Sequence, residues 1–267
     1  MNLKNKIEGI KQIWRFDNRL FLLFSRLLFP AEAVHLYKYK NVEFIEDHAN
    51  GDANGAREVM TSSMYRDYLV TLDRSKPVNV LDIGSNNGGF PLLLKSEGFE
   101  INKLACVEMN PHTFSRMRFN IERNFHKNYT LFNAAACGEE RELNITLGGG
   151  SAGDSIYGAR ERETSLSSVN IKGLTFDQIY EEAFGNEIVD ICKIDIEGAE
   201  FELLPSPNSS FVNRCRHIII EIHHSPTLNR RDVIAALKEK GFQEINGSSK
   251  IDNDKHYVHY FNYSATI

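Results

Sequence analysis

The sequence predicts a doubly wound α/β fold built on a mostly parallel sheet. From Pro77 onward, short apolar runs alternate with amphipathic segments that carry helix start and stop residues. The runs "VNVLDIG", "KLACVEMN", "IVDICKIDI" and "CRHIIIEIHH" are nearly continuous in apolar residues, as strands covered on both faces are. With 267 residues, the chain can bury one large core and still carry a small extension.

Residues 1 to 59 are read as a helical N-terminal extension and loop, and 60 to 267 as the main domain. The extension is expected to run as helix to a short apolar tail, "NVEFI", followed by the glycine-bearing loop "DHANGDANGARE". Within it "RLFLLFSRLLFP", residues 19 to 30, is apolar nearly all round, interrupted by Ser25 and Arg26 and stopped by Pro30. It is too short to span a bilayer. It suits a helix docked on the domain, a homodimer contact, or a helix lying on a membrane surface.

In the main domain, strand "VNVLDIG" leads to helix "GFPLLLKSEG", closed by Gly98. Strand "KLACVEMN" leads to helix "PHTFSRMRFNIERN", with Pro111 suited to its first turn. "YTLFNAAAC" reads as a third strand. The candidates "ELNITL" and "SVNIKGLTF" then flank a Gly- and Ser-rich run and read as an inserted hairpin, its tip, residues 148 to 168, a flexible loop or lid. Alternation resumes with "FDQIYEEAF", "IVDICKIDI", "AEFELL", "CRHIIIEIHH" and "RRDVIAALKEKGF". "FQEING" and "HYVHYFNYS" close the chain as an antiparallel edge pair.

Net charge is -5, with no dominant basic block, which argues against a nucleic-acid partner. Cys106, Cys137, Cys192 and Cys215 form no CxxC pair, and two of them lie in apolar strands. The first 18 residues lack a secretory pattern, so a reducing cytoplasmic compartment is expected.

In doubly wound sheets, ligands bind beyond the carboxyl ends of the strands. The first such end is "VLDIGSNNGGF", with Gly84 after the strand and Gly88 and Gly89 entering the helix. These glycines are expected to let the backbone approach a ligand. Glu108 ends the next strand, 24 residues beyond Gly84, placed to bond both hydroxyls of a ribose. A nicotinamide dinucleotide is disfavoured: Asn86 stands where the second fingerprint glycine would be, and Asp82 adds negative charge near a diphosphate. A cofactor with an ammonium and a sulfonium, S-adenosylmethionine, suits the acidic pocket better. The bland alternative is that Asp82 caps the turn and Glu108 is a solvated strand end.

The second cluster is "KIDIEGAEFELL", followed by "IIIEIHH". Asp195 and Glu197 share a face if the strand persists that far, as do Glu221 and His223, with His224 opposite. If these strands are neighbours, the four groups converge. They then suit proton removal from a hydroxyl, or a divalent metal such as Mg²⁺ on Asp195, Glu221 and His223. Alternatively, Glu197 and Glu200 complement a helix dipole and His223 is structural.

In this order and spacing, "VLDIGSNNGGF", "VEMNPHTFSRMRFNIERN", "AAACGEERELNI", "LTFDQI" and "VDICKIDIEGAEFELL" followed by "IIIEIHH" resemble the FkbM family of S-adenosylmethionine-dependent methyltransferases. The resemblance covers roughly residues 60 to 245, and "KIDIEGAE" is its most specific part. It implies a Rossmann-like methyltransferase domain that O-methylates sugar or natural-product hydroxyls, glycolipids included. On that pattern Asp82, Gly84, Ser85, Asn86 and Gly88 line the cofactor's methionine end, Glu108 and Met109 lie at the ribose, and Asn133 to Ala135 lie near the adenine. Two departures are Ser85-Asn86 in place of Ala-Asn, and Glu108-Met109-Asn110 in place of Glu-Pro-Asn. Asp195, His223 and Glu197 are the expected catalytic groups, with Tyr65 a further contact. A cofactor-binding scaffold without turnover is the competing reading, and a nicotinamide oxidoreductase the third.

Overall fold

The computed structural model describes residues 11–29, 33–48, 55–147, 155–156, 167–251 and 256–263. Helix α1 (Arg19–Leu28) precedes a hairpin of β1 (Val34–Tyr39) and β2 (Val42–Asp47), then α2 (Ala56–Thr61) and α3 (Arg66–Leu69). The domain proper runs β3 (Val78–Ile83), α4 (Gly89–Ser96), β4 (Ile101–Val107), α5 (Pro111–Asn124) and β5 (Tyr129–Phe132). Strands β6 (Ala135–Ala136), β7 (Arg141–Leu147) and β8 (Ser167–Leu174) follow, then α6 (Phe176–Phe184), β9 (Val189–Ile194) and α7 (Glu200–Leu203). A 3₁₀ helix (Pro207–Arg214) leads to β10 (Cys215–Ile222), α8 (Arg230–Glu239), β11 (Phe242–Ile251) and β12 (His256–Tyr263).

The main sheet has the order β11-β12-β10-β9-β3-β4-β5, with β10, β9, β3, β4 and β5 parallel and β12 antiparallel to both its neighbours. This is the doubly wound sheet that the apolar runs predict. Every residue of β3 is buried, as a central strand covered on both faces requires. The apolar side chains about the main sheet divide into two cores, one on each face, because successive side chains of a strand point to opposite faces: Val80 joins one core, Leu81 the other.

Three expectations change. "NVEFI" is no helical tail but β2, whose alternation buries Val42 and Phe44 and stacks Phe44 on Tyr37 at 5.3 Å. Helix α5 closes the free edge of β2: Glu43 N–H donates to Asn124 Oδ1 (3.0 Å) and Ile45 N–H to Asn120 Oδ1 (2.8 Å). The boundary drawn at 59/60 falls inside α2, which packs against α4 so tightly that a Cβ on Gly89 would lie 2.8 Å from Ala56 Cα. "YTLFNAAAC" is two strands: β5 stays in the main sheet, while β6 crosses to a second sheet ordered β6-β8-β7.

That second sheet contains the expected inserted hairpin, β7 with β8. Of the expected tip, residues 148–154 and 157–166 lie outside the described residues; Ser167 and Ser168 belong to β8, and 155 and 156 bear on the site below. The four cysteines are free and buried. Among the described residues, no helix is long and apolar enough to cross a membrane.

Candidate active site

The strand order reverses between β3 and β9, so the crevice at their carboxyl ends is where such a sheet takes a ligand. Two turns meet there. Gly84 leaves β3 at φ +78°, and a Cβ on it would stand 1.7 Å from the Asp195 carbonyl oxygen. Asp195 N–H donates to Ile83 O at 3.0 Å, and Lys193 Nζ donates to Gly84 O at 2.7 Å. Gly84 is therefore required by the contact between the two turns. The sequence had suggested a ligand as its reason.

Glu108 stands at the end of β4 and joins two loops. Its Oε2 accepts from Asn86 N–H (2.9 Å) and its Oε1 from Asn110 N–H (2.8 Å). Asn110 in turn caps α5, accepting from His112 N–H at 2.9 Å. Asn86 holds φ +48°, in the left-handed region that asparagine tolerates. Gly88 also has positive φ and faces Ile121 of α5. Asn133 is exposed and donates to the carbonyls of Glu108 (2.9 Å) and Met109 (3.0 Å), which fixes the loop around the acid.

Two expected cofactor contacts turn inward instead. The Ser85 hydroxyl donates to the Asp82 carbonyl at 2.7 Å, because burial demands a partner for it. Ala135 is buried in β6, in a small core against which Met109 packs, so its methyl group serves the second sheet.

Asp82 is fully buried and faces Lys193, itself only 5% exposed. Lys193 Nζ lies 3.5 Å from Asp82 Oδ1 and 3.2 Å from Asp195 Oδ2. Burial pushes the Asp82 carboxyl up from its ordinary value. Burial opposes charge on Lys193 as well, but Asp195 and Asp82 outweigh it and hold the ammonium well above its ordinary range. The cation is thus shared between a buried carboxyl and a partly exposed one.

The second cluster converges on His223. β9 and β10 are parallel neighbours, with Ile194 opposite Ile220, so their ends open together. The strand does not persist to Glu197: β9 ends at Ile194, and Glu197 turns at φ +51°. It is this turn that swings its carboxylate back, so the cluster forms without the shared strand face. His223 Nε2 lies 3.4 Å from Glu197 Oε2, 3.7 Å from Asp195 Oδ1 and 3.7 Å from Glu221 Oε1. Its Nδ1 bonds Glu200 Oε1 at 2.8 Å. His224, beyond the end of β10, is exposed.

Burial alone would lower the His223 pKa. The Glu200 hydrogen bond and the charges of Glu200, Asp195 and Glu197 overcome it and push it up to about 10. Burial and the Asp195 charge push Glu221 up to about 8. Asp195, Glu221 and His223 each offer one ligand atom, all within 4.8 Å of one another. Two carboxylate oxygens and one imidazole nitrogen suit a divalent cation, and an imidazole backed by a carboxylate on its other nitrogen is a common metal-ligand arrangement.

Sequence reasoning missed Glu200 and Lys193. Glu200 passed as a helix-dipole residue, yet it is fully buried, and its Oε1 also accepts from Ile196 N–H at 3.1 Å. A lysine inside the apolar strand run "IVDICKIDI" was the available signal for the other: a buried ammonium needs an anion. Tyr65 is buried against Phe90 and senses the charges of Lys193, Asp195, Glu221 and Asp82, which puts it beside the cluster. Ser155, from the insertion between β7 and β8, donates to the Glu197 carbonyl at 2.7 Å.

A family model described as a methyltransferase FkbM domain matches residues 82–244, more than half of the chain. No curated protein sequence gives a match. Among solved structures, a precorrin-6y C5,15-methyltransferase from Geobacter metallireducens is similar with a TM-score of 0.46 at 13% identity, covering 79% of this chain and 93% of that one. TrmK from M. capricolum, solved with S-adenosyl-homocysteine, has a TM-score of 0.45 at 10% identity, covering 76% and 69%. The N-terminal domain of human METTL16, also with S-adenosyl-homocysteine, has a TM-score of 0.44 at 13% identity, covering 76% and 71%.

Proposed function

The chain belongs to the FkbM methyltransferase family, and from that premise we propose that it methylates a hydroxyl oxygen of a small-molecule acceptor, a sugar, natural product or glycolipid, in the cytoplasm. The observation that carries this reading is the ring of Asp195, Glu197 and Glu221 around His223 Nε2, next to the Gly84 turn. An alcohol gives up its proton reluctantly, and the ring supplies acceptors for it.

The donor set fits S-adenosylmethionine. Glu108 offers carboxylate oxygens of the kind that bind ribose hydroxyls, and the acidic crevice favours an ammonium and a sulfonium. When bound, that cofactor supplies a methyl group already activated by its sulfonium. The turn from Gly84 to Gly88, with Glu108, would hold it.

The chain's own residues then orient the acceptor and take its proton. Asp195 is the base: it is partly exposed, and its position is fixed between Lys193 and His223. His223 holds its proton too firmly to act as a free base, so it orients Asp195 and Glu197. With a divalent ion such as Mg²⁺, Asp195, Glu221 and His223 would be the ligands, Glu200 would keep Nδ1 protonated, and the ion would acidify the hydroxyl. The insertion, in contact through Ser155, is suited to exclude water. So much negative charge at the crevice disfavours a nucleic-acid acceptor.

Calorimetric titration of the full chain with S-adenosylhomocysteine, with NAD as control, tests the cofactor. Micromolar binding of the first alone, lost in Glu108→Ala, is expected; no binding would sink the reading. In an acceptor screen with and without Mg²⁺, Asp195→Asn should lower turnover by about 10²- to 10⁴-fold at nearly unchanged cofactor affinity. Full activity in that variant would remove the carboxylate from the mechanism.

A further inference from the structure

Helix α1 is amphipathic the wrong way round for a chain surrounded by water. Only Leu22 and Ser25 of its ten residues are buried. Leu20, Phe21, Phe24, Leu27 and Leu28 are each more than half exposed, and Trp14 extends the patch. Positions 20, 24, 27 and 28 recur at helical spacing, so they line one outward face.

Two of the helix's polar groups, Ser25 and Arg26, are spent on the inner side. The Ser25 hydroxyl lies 3.4 Å from His35 Nδ1, and Arg26 Nη2 donates to Tyr37 Oη at 2.6 Å. Asn18, just before the helix, donates to Leu36 O at 2.8 Å and accepts from Lys38 N–H at 3.0 Å. These bonds pin α1 to the hairpin and fix its apolar face outward. An apolar patch of this size on a soluble surface marks a contact with something apolar.

Charge identifies the occupant. Around the patch Lys11, Arg15 and Arg19 are exposed against the single acid Asp17, in a chain whose net charge is -5. Arg19 sits over the Trp14 ring, 5.4 Å from its centroid. Exposed phenylalanines and leucines with a tryptophan and arginines beside them match an interfacial helix on anionic lipid. A two-fold dimer through this face would bring the same basic rim against its own copy. At 10 residues, roughly 15 Å by the helical rise, α1 covers about half a hydrocarbon core and must lie in the surface plane.

We propose that the outward face of α1, with Trp14, docks the protein on an anionic lipid bilayer.

The test is co-sedimentation of the full chain with phosphatidylcholine vesicles, with and without phosphatidylglycerol. Binding should be at least about tenfold tighter with the anionic lipid and weaken as salt is added, as expected for several basic residues acting together. The double variant Phe24→Glu, Leu27→Glu changes only exposed side chains, so its thermal melt should match wild type while vesicle binding drops at least about tenfold. Arg19→Glu should weaken binding about fivefold or more on anionic vesicles and little on neutral ones, by the surface energy of a single charge. Wild-type protein that stays in the supernatant with both vesicle types overturns the proposal. So does a wild-type dimer that ignores vesicles and dissociates in the double variant, which would make the face a homodimer contact.

Discussion

His48, in the N-terminal hairpin, and His223, in the crevice, are both largely shielded from water, yet their protons behave in opposite ways. Burial, Arg26 and Arg57 push His48 down to about 3, while the carboxylates around His223 push it up to about 10. The hydrogen bonds agree. Arg26 Nη2 lies 3.0 Å from His48 Nε2, and a guanidinium can only donate, so that nitrogen accepts and the ring is neutral. Glu200 lies 2.8 Å from His223 Nδ1, and a carboxylate accepts, so that nitrogen carries a proton. Burial penalises the charged ring in both places, and the sign of the neighbouring charges decides the outcome. One histidine is a satisfied part of a docked hairpin. The other gathers four carboxylates at a strand end, an arrangement that stability alone does not call for.

The largest test of this contrast concerns the cation beside the His223 cluster. Lys193→Met leaves Asp82 buried without its ammonium, and urea denaturation should show a loss of about 3–5 kcal/mol, the usual cost of breaking a buried pair. A loss under about 1 kcal/mol would mean that Asp82 is neutral in the folded protein.

Next in size is metal. In the presence of a divalent ion at about 100 times its dissociation constant, stability should rise by about 2.7 kcal/mol. The rise should vanish in His223→Ala and persist in a variant at His48. A thermal shift that survives His223→Ala would place the ion elsewhere.

The smallest effect is a pH dependence from His48. Its folded pKa is about 3 and its unfolded value near 6.5, so the unfolded chain binds more protons between those limits. Its contribution to stability is complete above about pH 6.5 and falls away as pH drops toward 3. Between pH 6 and 4, the melting temperature of wild type should therefore fall more steeply than that of His48→Gln. Parallel slopes would show that the ring is not held neutral.

Legibility followed the range of the interaction. The strands from "VNVLDIG" onward were readable because a two-sided burial pattern is written in adjacent residues, and β3 is buried throughout. The hairpin of β1 and β2 was missed because "NVEFI" is too short to tell a strand from a frayed helix, and its edge partners, Asn120 and Asn124, lie about 75 to 81 positions away. The split between β5 and β6 escaped for the same reason, since no local signal says that a continuing strand will change sheets. In the site, Asp195, Glu221 and His223 were legible as polar residues at the mouths of apolar strands. Glu200 was not, because a glutamate in a first helical turn has an ordinary explanation on the surface, and only the packed structure removes it from water.

By itself the sequence determined the doubly wound sheet, the glycine turn with its acid at Glu108, and the gathering of acidic groups after β9. Each depends on residue types within a single strand run or at the end of one, and on the order in which those runs follow along the chain. Only the tertiary structure decided that β3 and β9 are neighbours, that Lys193 reaches the Gly84 carbonyl 109 positions away, and that α1 turns its apolar face outward. Strand order, burial and protonation are set by groups that meet in space from distant parts of the chain, and no local period records which of them will meet.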